Sequence, residues 1–289
     1  MSIKTMHTAV ITGSTGGIGM EISKLLAAQG WNLVLLNRSL DKTEKQTAAL
    51  SEWYPDQSFY SYQANMMDLS EVDHAINLIG NNHPELSALY NVAGLLTDSR
   101  MTSMQGVEAH FAVNTLAPYL MIQRLRSQLS AGSSSEQKAI VVNFSSSAIK
   151  SVKKLDISSL INPKEIGGLM GAYAKSKVAT TMISELLQEE LSAQGILICS
   201  VDPGPTKTPM TDSGDGMPWF LSLLQPLIFK SAEAQAGKVV DAVGAVVHEG
   251  VSGVFISEGK RKPAPAIVSD TELQSSLRAL LEAQVERFL

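Results

Sequence analysis

The sequence predicts an α/β fold, a single domain built on a doubly wound parallel sheet of the Rossmann type. Short runs rich in β-branched residues alternate with longer helical patterns, and the first run leads directly into a glycine-rich turn. The length of 289 residues suits one large domain with a substantial core. Because parallel strands need crossover connections, the alternation places helices on both faces of the sheet. We therefore expect one catalytic domain over residues 1–289.

The alternation starts near the amino terminus and continues through most of the chain. Strands are predicted at about 8–12, 32–37, 58–63, 87–91, 138–145, 195–201 and 252–256. Helices are predicted near 18–29, 41–53, 70–81, 104–129, 172–193 and 231–248, with a further one at the carboxyl end. The segment at about 205–230 mixes prolines, glycines and aromatic residues, which predicts a lid over a substrate pocket; an ordinary surface excursion is the alternative.

Composition excludes several classes of function. A net charge of −5 argues against a nucleic-acid surface, and no apolar run approaches the length of a membrane span. The first strand begins near Thr8, so we expect no cleaved signal peptide. Cys199 is the single cysteine and lies in an apolar run, which indicates a buried structural thiol in a reducing compartment. We therefore expect a cytoplasmic protein.

The first strand, Thr8–Thr12, runs into Gly13-Ser14-Thr15-Gly16-Gly17-Ile18-Gly19 and then into an amphipathic helix. Such a turn brings backbone N–H groups and a helix N-terminus against a pyrophosphate, with glycines where a Cβ would collide. The spacing Gly-x-x-x-Gly-x-Gly differs from the G-x-G-x-x-G fingerprint. A glycine-rich turn without ligand is the alternative.

The end of the second strand, Asn37-Arg38, bears on the choice of cofactor. An acidic residue there would bind the ribose 2′-OH, whereas arginine suits a 2′-phosphate because its planar fork binds phosphate oxygens. The prediction is NADP(H), with NAD(H) as the alternative if Arg38 is merely solvated. Asp68, after the third strand, is expected either to accept from the adenine amino group or to cap the next helix.

Tyr173 and Lys177 are four residues apart, which places them on one face of a predicted helix. The usual tyrosine pKa of about 10 is too high for acid–base work at neutral pH, and a nearby ammonium lowers it. The pair predicts a proton donor whose pKa is lowered by the lysine.

With these motifs in place, the chain resembles the short-chain dehydrogenase/reductase superfamily, single-domain type. The pattern T-G-x-x-x-G-I-G stands at Thr12 to Gly19, Asn91-Val92-Ala93-Gly94 follows the fourth strand, and Y-x-x-x-K is Tyr173 and Lys177. The remaining matches are Asn114, the serine strand end Asn143-Phe144-Ser145-Ser146-Ser147, and Pro203, Gly204 and Thr208. The run from Gln105 to Asn114 is similar to the branch of retinol dehydrogenases and WW-domain oxidoreductases.

The resemblance implies a set of site residues. The implied catalytic residues are Asn114, Ser146, Tyr173 and Lys177, with Ser145 and Ser147 as neighbours that alignment alone barely separates from Ser146. The implied cofactor-binding residues are Gly13, Ser14, Thr15, Gly17, Ile18, Gly19, Asn37, Arg38, Asp68, Asn91, Ala93, Gly94, Tyr173, Lys177, Pro203, Gly204 and Thr208. No metal site is expected, because the five histidines show no metal spacing.

The implied function is that of an NADP(H)-dependent oxidoreductase acting on a carbonyl or secondary alcohol, on an apolar small molecule. Tyr173 would transfer the proton, Ser146 would donate to the substrate oxygen, Lys177 would hold the nicotinamide ribose, and Asn114 would fix a relay water. The alternative is a regulator that senses NADPH without turnover. The sequence leaves the oligomeric state open, a homo-oligomer included.

Overall fold

The structure is a computed structural model that describes residues 7–207 and 229–289. Within that part of the chain, eight strands form one sheet in the order β3-β2-β1-β4-β5-β6-β7-β8. The strands are β1 Thr8–Thr12, β2 Asn32–Asn37, β3 Phe59–Gln63, β4 Ala88–Asn91, β5 Ala139–Phe144, β6 Ile196–Asp202, β7 Val254–Ser257 and β8 Lys260–Lys262. All neighbours pair in parallel except β7 and β8. The predicted doubly wound α/β fold is confirmed.

Helices connect the strands. They are α1 Gly17–Ala28, α2 Leu40–Trp53, α3 Leu69–Asn82, α4 Ala109–Phe111, α5 Ala117–Arg124, α6 Arg126–Ala131, α7 Ala172–Ser192, α8 Ala232–Glu249 and α9 Thr271–Val285. A π-helical turn, Ala112–Leu116, joins α4 to α5. None of the helices in the described ranges is long and apolar enough to cross a membrane.

Two apolar cores lie on the two faces of the sheet. Successive residues of a strand point to opposite faces, so Val10 joins one core and Ile11 the other. The Val10 core is covered by α3, α5, α7 and α9, and the Ile11 core by α1, α2 and α8. Both faces of the central strands are therefore buried against apolar side chains, which explains their near-continuous apolar sequences.

The predicted helix over 104–129 was wrong at its start and in its continuity. Gly106 has a φ of 75°, and Thr102 pairs with Glu108 in an isolated antiparallel bridge, so the chain turns before the helix can begin. The Glu108 carboxylate then caps α4 by accepting from the N–H of Phe111. The helix-like spacing of apolar residues continues through this turn, because apolar residues also occur within it. The sequence therefore does not mark where the helix begins.

Most of the predicted lid lies outside the described residues. Its two ends are placed: Lys207 N–H donates to the Lys230 carbonyl at 3.0 Å, and Lys230 N–H donates to the Pro205 carbonyl at 3.1 Å. The segment therefore leaves and returns at one point, next to the carboxyl end of β6.

Candidate active site

The predicted site residues gather at the carboxyl edge of the sheet, where the strand order reverses between β1 and β4. In open α/β sheets this switch point leaves a crevice outside the strand ends, because the neighbouring connections run to opposite faces. The glycine turn follows β1, and the Asn91 segment follows β4. The edge of the sheet therefore brings together motifs that lie about 80 residues apart in sequence.

The glycine turn packs tightly against the end of β4. Gly13 has a φ of 67°, and a Cβ there would lie 2.8 Å from the Cα of Ala93. A Cβ on Gly19 would lie 2.3 Å from the Gly13 carbonyl oxygen. The Ala93 N–H donates to the Thr12 hydroxyl at 3.0 Å, which fixes the same contact from the other side. These glycines are needed for the packing of the turn itself.

The N-terminus of α1 is open to an anion. Gly17 has a φ of 55° and starts the helix, and its N-cap residue, Gly16, provides no side-chain hydrogen bond. The first-turn N–H groups lack intrahelical partners and carry the positive end of the helix dipole. Ile18 anchors this turn in the core, and Thr15 is half-buried beside it. The arrangement fits the pyrophosphate of a dinucleotide.

Asn37 holds the glycine turn in place. Its side-chain oxygen accepts from the Ser14 N–H at 2.7 Å, and its amide nitrogen donates to the Ser14 hydroxyl at 2.8 Å. Ser14 in turn donates to the side-chain oxygen of Gln46 at 2.9 Å. All three side chains are buried. Sequence spacing does not reveal this network, because its members come from β2, the turn and α2.

Arg38 and Asp68 flank the region where the adenosine end of a dinucleotide would lie. Arg38 is exposed, and its guanidinium has no ion-pair partner within residues 7–207 and 229–289. Asp68 caps α3 by accepting from the Ser70 N–H, and it also accepts from the side chain of Gln105, both at 2.9 Å. The hydrogen bond from Gln105 is the main reason that the pKa of Asp68 is lowered. Of the two expected roles of Asp68, the structure displays the cap.

The residues after β4 form the centre of the crevice. The amide nitrogen of Asn91 donates to the side-chain oxygen of Asn143 on β5 at 2.8 Å, tying the two strand ends together. The side-chain oxygen of Asn91 is buried and has no hydrogen-bond partner among the residues that the structure describes. Ala93 and Gly94 follow at the open edge and are half-buried.

Tyr173 and Ser146 come together at the end of β5. The Ser146 hydroxyl lies close enough to the Tyr173 side chain to lower its pKa, and it accepts from the Ala148 N–H at 3.2 Å. The neighbouring serines are placed differently: Ser145 is buried and bonded to the Thr181 hydroxyl at 2.7 Å, and Ser147 is exposed. The geometry therefore favours Ser146 among the three serines.

Lys177 lies one turn along α7 from Tyr173. Its ammonium donates to the Phe144 carbonyl at 2.6 Å and lies 5.9 Å from the centre of the tyrosine ring. Burial lowers the pKa of Lys177 to about 7. Burial also raises the pKa of Tyr173 to about 12, although the nearby Ser146 hydroxyl opposes the rise and the charge of Asp202 adds to it.

The expected lowering of the tyrosine pKa by the lysine is therefore wrong for the protein without ligand. Both side chains are buried, and burial disfavours the charged form of each, the phenolate of Tyr173 and the ammonium of Lys177. A lysine with a pKa of about 7 is neutral part of the time at neutral pH, so it attracts the phenolate weakly.

Asn114 lies in the π-helical turn, and its side-chain amide makes three hydrogen bonds. Its oxygen accepts from the Leu95 N–H at 2.8 Å, and its nitrogen donates to the Leu95 carbonyl at 3.1 Å and to the Ser176 hydroxyl at 3.0 Å. Its main-chain oxygen accepts from the Thr180 hydroxyl at 2.7 Å. Ser176 and Thr180 follow Tyr173 and Lys177 at intervals of three on α7, a helical spacing that could have identified them.

Pro203 and Gly204 lie where β6 ends, at the entrance to the predicted lid. Gly204 has a φ of 82°, and a Cβ there would approach Glu258 to 2.8 Å. Its N–H donates to the buried Asp202 carboxylate at 3.0 Å. Thr208 lies outside the described residues.

Two other expectations concern side chains away from this crevice. Cys199 is fully buried, and burial raises the pKa of its thiol to about 12, which confirms a structural role. In the described ranges no group of three His, Cys, Asp or Glu side chains is arranged to hold a metal ion.

The short chain dehydrogenase family matches residues 7–217 of this chain, well over half of its length. The chain belongs to this family. The predicted resemblance, including that to retinol dehydrogenases and WW-domain oxidoreductases, is confirmed. Membership shows that the chain is an oxidoreductase of this family, whose fold binds a nicotinamide cofactor.

Similar proteins span nearly the whole chain. Polyprenol dehydrogenase of Homo sapiens is 25% identical over 281 residues, covering 94% of this chain and 82% of its own. WW domain-containing oxidoreductase of Pongo abelii is 26% identical over 295 residues, covering 99% of this chain and 69% of its own. The crystal structure of NADPH-bound carbonyl reductase from chicken fatty liver matches with a TM-score of 0.68 at 19% identity, covering 90% of this chain and 99% of that one. That likeness shows the shared fold.

Proposed function

We propose that this member of the short-chain dehydrogenase family transfers hydride between NADP(H) and the carbonyl or secondary alcohol of an apolar small molecule, with Tyr173 exchanging the proton. The observation that carries the proposal is the convergence of Tyr173, Ser146 and Lys177 at the carboxyl ends of β5 and β4, beside the open N-terminus of α1. The proton donor Tyr173, the hydroxyl of Ser146 that would donate to the substrate oxygen, and the helix N-terminus that would bind the cofactor then lie at the same edge of the sheet.

The residues present fit a nicotinamide dinucleotide. Uncapped amides of α1, which begins at Gly17, would hold the pyrophosphate, and the close packing allowed by Gly13 and Gly19 keeps the turn in place to present them. Asn91, Ala93 and Gly94 at the end of β4, Pro203 and Gly204 at the end of β6, and Thr208 are the residues that we propose hold the rest of the cofactor. When bound, the cofactor supplies the hydride donor or acceptor at the nicotinamide ring.

In the reducing direction, Tyr173 delivers its phenolic proton to the carbonyl oxygen while Ser146 donates a hydrogen bond to the same oxygen. A tyrosine pKa of about 12 keeps the phenol protonated at neutral pH, which suits the donor role. Lys177, with a pKa of about 7, can release and recover a proton near neutral pH and so resupply the tyrosine. We assign a relay water to the Asn114 main-chain oxygen, because both hydrogens of its side-chain amide are already donated, to Leu95 and Ser176.

Arg38 supports NADP(H) over NAD(H). Its exposed guanidinium stands at the carboxyl end of β2, with no acidic residue at position 37 to repel a phosphate. Asn37 instead keeps its side chain on Ser14. Similarity to a polyprenol dehydrogenase and the apolar residues of segment 205–230 favour an apolar substrate. A single buried cysteine favours a cytoplasmic location.

The test is turnover by Tyr173→Phe, which removes the transferable proton and keeps the ring. NADPH oxidation is measured with a panel of apolar aldehydes, ketones and quinones, and NADPH binding by fluorescence. We expect wild-type binding and a loss of kcat of about 100-fold or more. Tyr119→Phe is the matched control, because Tyr119 is buried on α5 away from the site.

Two results would contradict the proposal. Wild-type kcat in Tyr173→Phe would remove the tyrosine from the reaction. NADPH binding by the wild-type protein without turnover of any compound in the panel would favour a sensor of the nucleotide.

A further inference from the structure

A buried glutamate and histidine lie beside Tyr173, and the proposed reaction gives neither a task. Glu108 is 3% exposed and His110 is fully buried. The Nδ1 atom of His110 lies 2.6 Å from a carboxylate oxygen of Glu108. The other carboxylate oxygen accepts from the Phe111 N–H at 2.9 Å. A buried carboxylate is costly unless its hydrogen bonds are complete, so the presence of Glu108 beside the His110 ring calls for a reason.

The hydrogen bonds determine which nitrogen of His110 carries the hydrogen. The Thr97 N–H lies 3.1 Å from Nε2, and a backbone N–H can only donate. Nε2 must therefore accept, which leaves the hydrogen of a neutral ring on Nδ1, pointing at Glu108. Glu108 thus orients the imidazole and fixes its tautomer, and His110 presents a lone pair to the Thr97 segment.

His110 and Asn114 hold the same segment at two successive points. Asn114 binds both main-chain groups of Leu95, and His110 binds the N–H of Thr97 two residues on. The two side chains are four residues apart, on one face of the run formed by α4 and the π-helical turn. The segment that leaves Gly94 is therefore fixed against this helix rather than free.

Both anchoring side chains also reach the tyrosine helix. Asn114 donates to Ser176, which donates to the Tyr173 carbonyl at 2.8 Å. The His110 ring meets the Tyr173 ring edge-on, with centroids 6.1 Å apart and planes at 79°. His110 thus touches the segment after Gly94 on one side and the phenol ring on the other.

We propose that His110, oriented by Glu108, is a positioning residue. It fixes the Tyr173 ring relative to the Leu95–Ser99 segment, so that the phenol is held in place for proton transfer. This inference rests on the proposed role of Tyr173. Displacing a reacting group by about 1 Å can reduce a rate by about 100-fold, so a contact that fixes the phenol ring affects kcat more than cofactor binding.

Two variants test the proposal. His110→Leu removes both hydrogen bonds and keeps an apolar side chain in the space. Glu108→Gln keeps the shape but has one acceptor oxygen, which cannot serve both the Phe111 N–H and the Nδ1 hydrogen. We expect kcat to fall by about 10- to 100-fold in both, with the Kd for NADPH within about twofold of wild type. Hydrogen exchange in residues 95–99 should rise in both.

His83→Leu is the matched control. His83 is buried, hydrogen-bonded to the Tyr62 hydroxyl at 3.0 Å and packed against the Tyr60 ring, but it follows α3 at the opposite edge of the sheet. It should lower Tm without lowering kcat at temperatures where it is folded.

A spectroscopic measurement tests the tautomer without activity. Histidine-selective ¹⁵N NMR of the full chain should show His110 neutral with its hydrogen on Nδ1. An Nε2–H tautomer at His110, or kcat within about twofold of wild type in both variants, would overturn the proposal. If the wild-type protein turned over no carbonyl, the proposed function would fail, while the tautomer and the exchange of residues 95–99 would still decide whether His110 holds the segment.

Discussion

At the scale of single residues, Asn37 and Arg38 are chain neighbours with separate tasks. Asn37 is buried and bonded twice to Ser14, so it shapes the turn; Arg38 is exposed and free to meet a phosphate. The sequence alone predicts Arg38 in this role and includes Asn37 among the cofactor-binding residues, but it does not reveal the two hydrogen bonds of Asn37 with Ser14. An aspartate at 37 could accept from the Ser14 N–H but could not donate to its hydroxyl, so the substitution would disturb the turn as well as repel phosphate.

Arg38→Ala should weaken NADPH binding by about 10- to 100-fold, because a charge-assisted contact contributes about 1.5–3 kcal/mol. NADH binding should be unchanged, since NADH lacks the 2′-phosphate. The measurement is kcat/KM and Kd with both nucleotides, with Lys260→Ala, an exposed cation on β8, as the control. Equal losses for NADPH and NADH would show that Arg38 does not read the 2′-phosphate.

Lys177 links the active site to the pH dependence of stability. Its pKa is about 7 in the folded protein, against 10.5 as the ordinary value. Between these values the unfolded chain binds the proton and the folded chain does not, so this residue makes unfolding free energy rise with pH from about 7 to 10.5. Below pH 7 both states are protonated and the contribution is at its minimum.

Lys177→Met removes this titration. We expect the difference in unfolding free energy, wild type minus variant, to grow as pH rises from 7 toward 10, measured by urea unfolding at each pH. Taking the difference cancels the opposing contributions of Cys199 and Tyr173, whose raised pKa values lower stability at high pH. A difference that is flat across this range would contradict the buried, uncharged state of Lys177.

At the scale of elements, the seven parallel strands were predicted, whereas the antiparallel strand β8 and the run after β4 were not. Buried parallel strands have continuous apolar sequences that stand out, as in β5 and β6. The helix predicted over 104–129 failed because its apolar periodicity continues through the Gly106 turn and the π-helical turn. The start at Ala109 depends on the bridge between Thr102 and Glu108, a contact that spacing does not reveal.

Helix α9 lies beyond the part of the chain that the family matches, yet it belongs to the core. Leu277, Leu281 and Val285 are fully buried, and the helix packs against α7 and the π-helical turn. The Arg278 guanidinium also pairs with Glu190 on α7 at 2.7 Å. The helix therefore supports the two elements that carry Tyr173 and Asn114.

Leu281→Ala should lower the unfolding free energy by about 2–5 kcal/mol, because it leaves a cavity in a close-packed core. Chemical denaturation of the full chain measures this. Leu78→Ala on α3 removes the same atoms from a side chain that is 43% exposed, and it should cost far less. Similar losses in the two variants would mean that α9 is only loosely attached.

At the scale of the whole molecule, the fold class followed from alternation and from the glycine turn, because a parallel sheet is the common arrangement that satisfies both. The positions of Tyr173, Ser146 and Lys177 at one strand edge also follow from that topology. The network of Glu108, His110 and Thr97 does not, because it depends on how a loop folds back on a helix. The spacing of residues in the sequence predicts which helix or strand carries them. The conformation of the loops determines which side chains are in contact.

The last strand, β8, has a consequence for how copies of the chain can meet. A free strand edge can extend its sheet into a neighbouring molecule, and nature often prevents this with charge. Lys260, Arg261 and Lys262 occupy that edge and are all exposed; within the described part of the chain, only Arg261 is paired to a carboxylate, that of Glu249. Two such edges would repel each other. The charges on β8 therefore disfavour extension of the sheet from this edge.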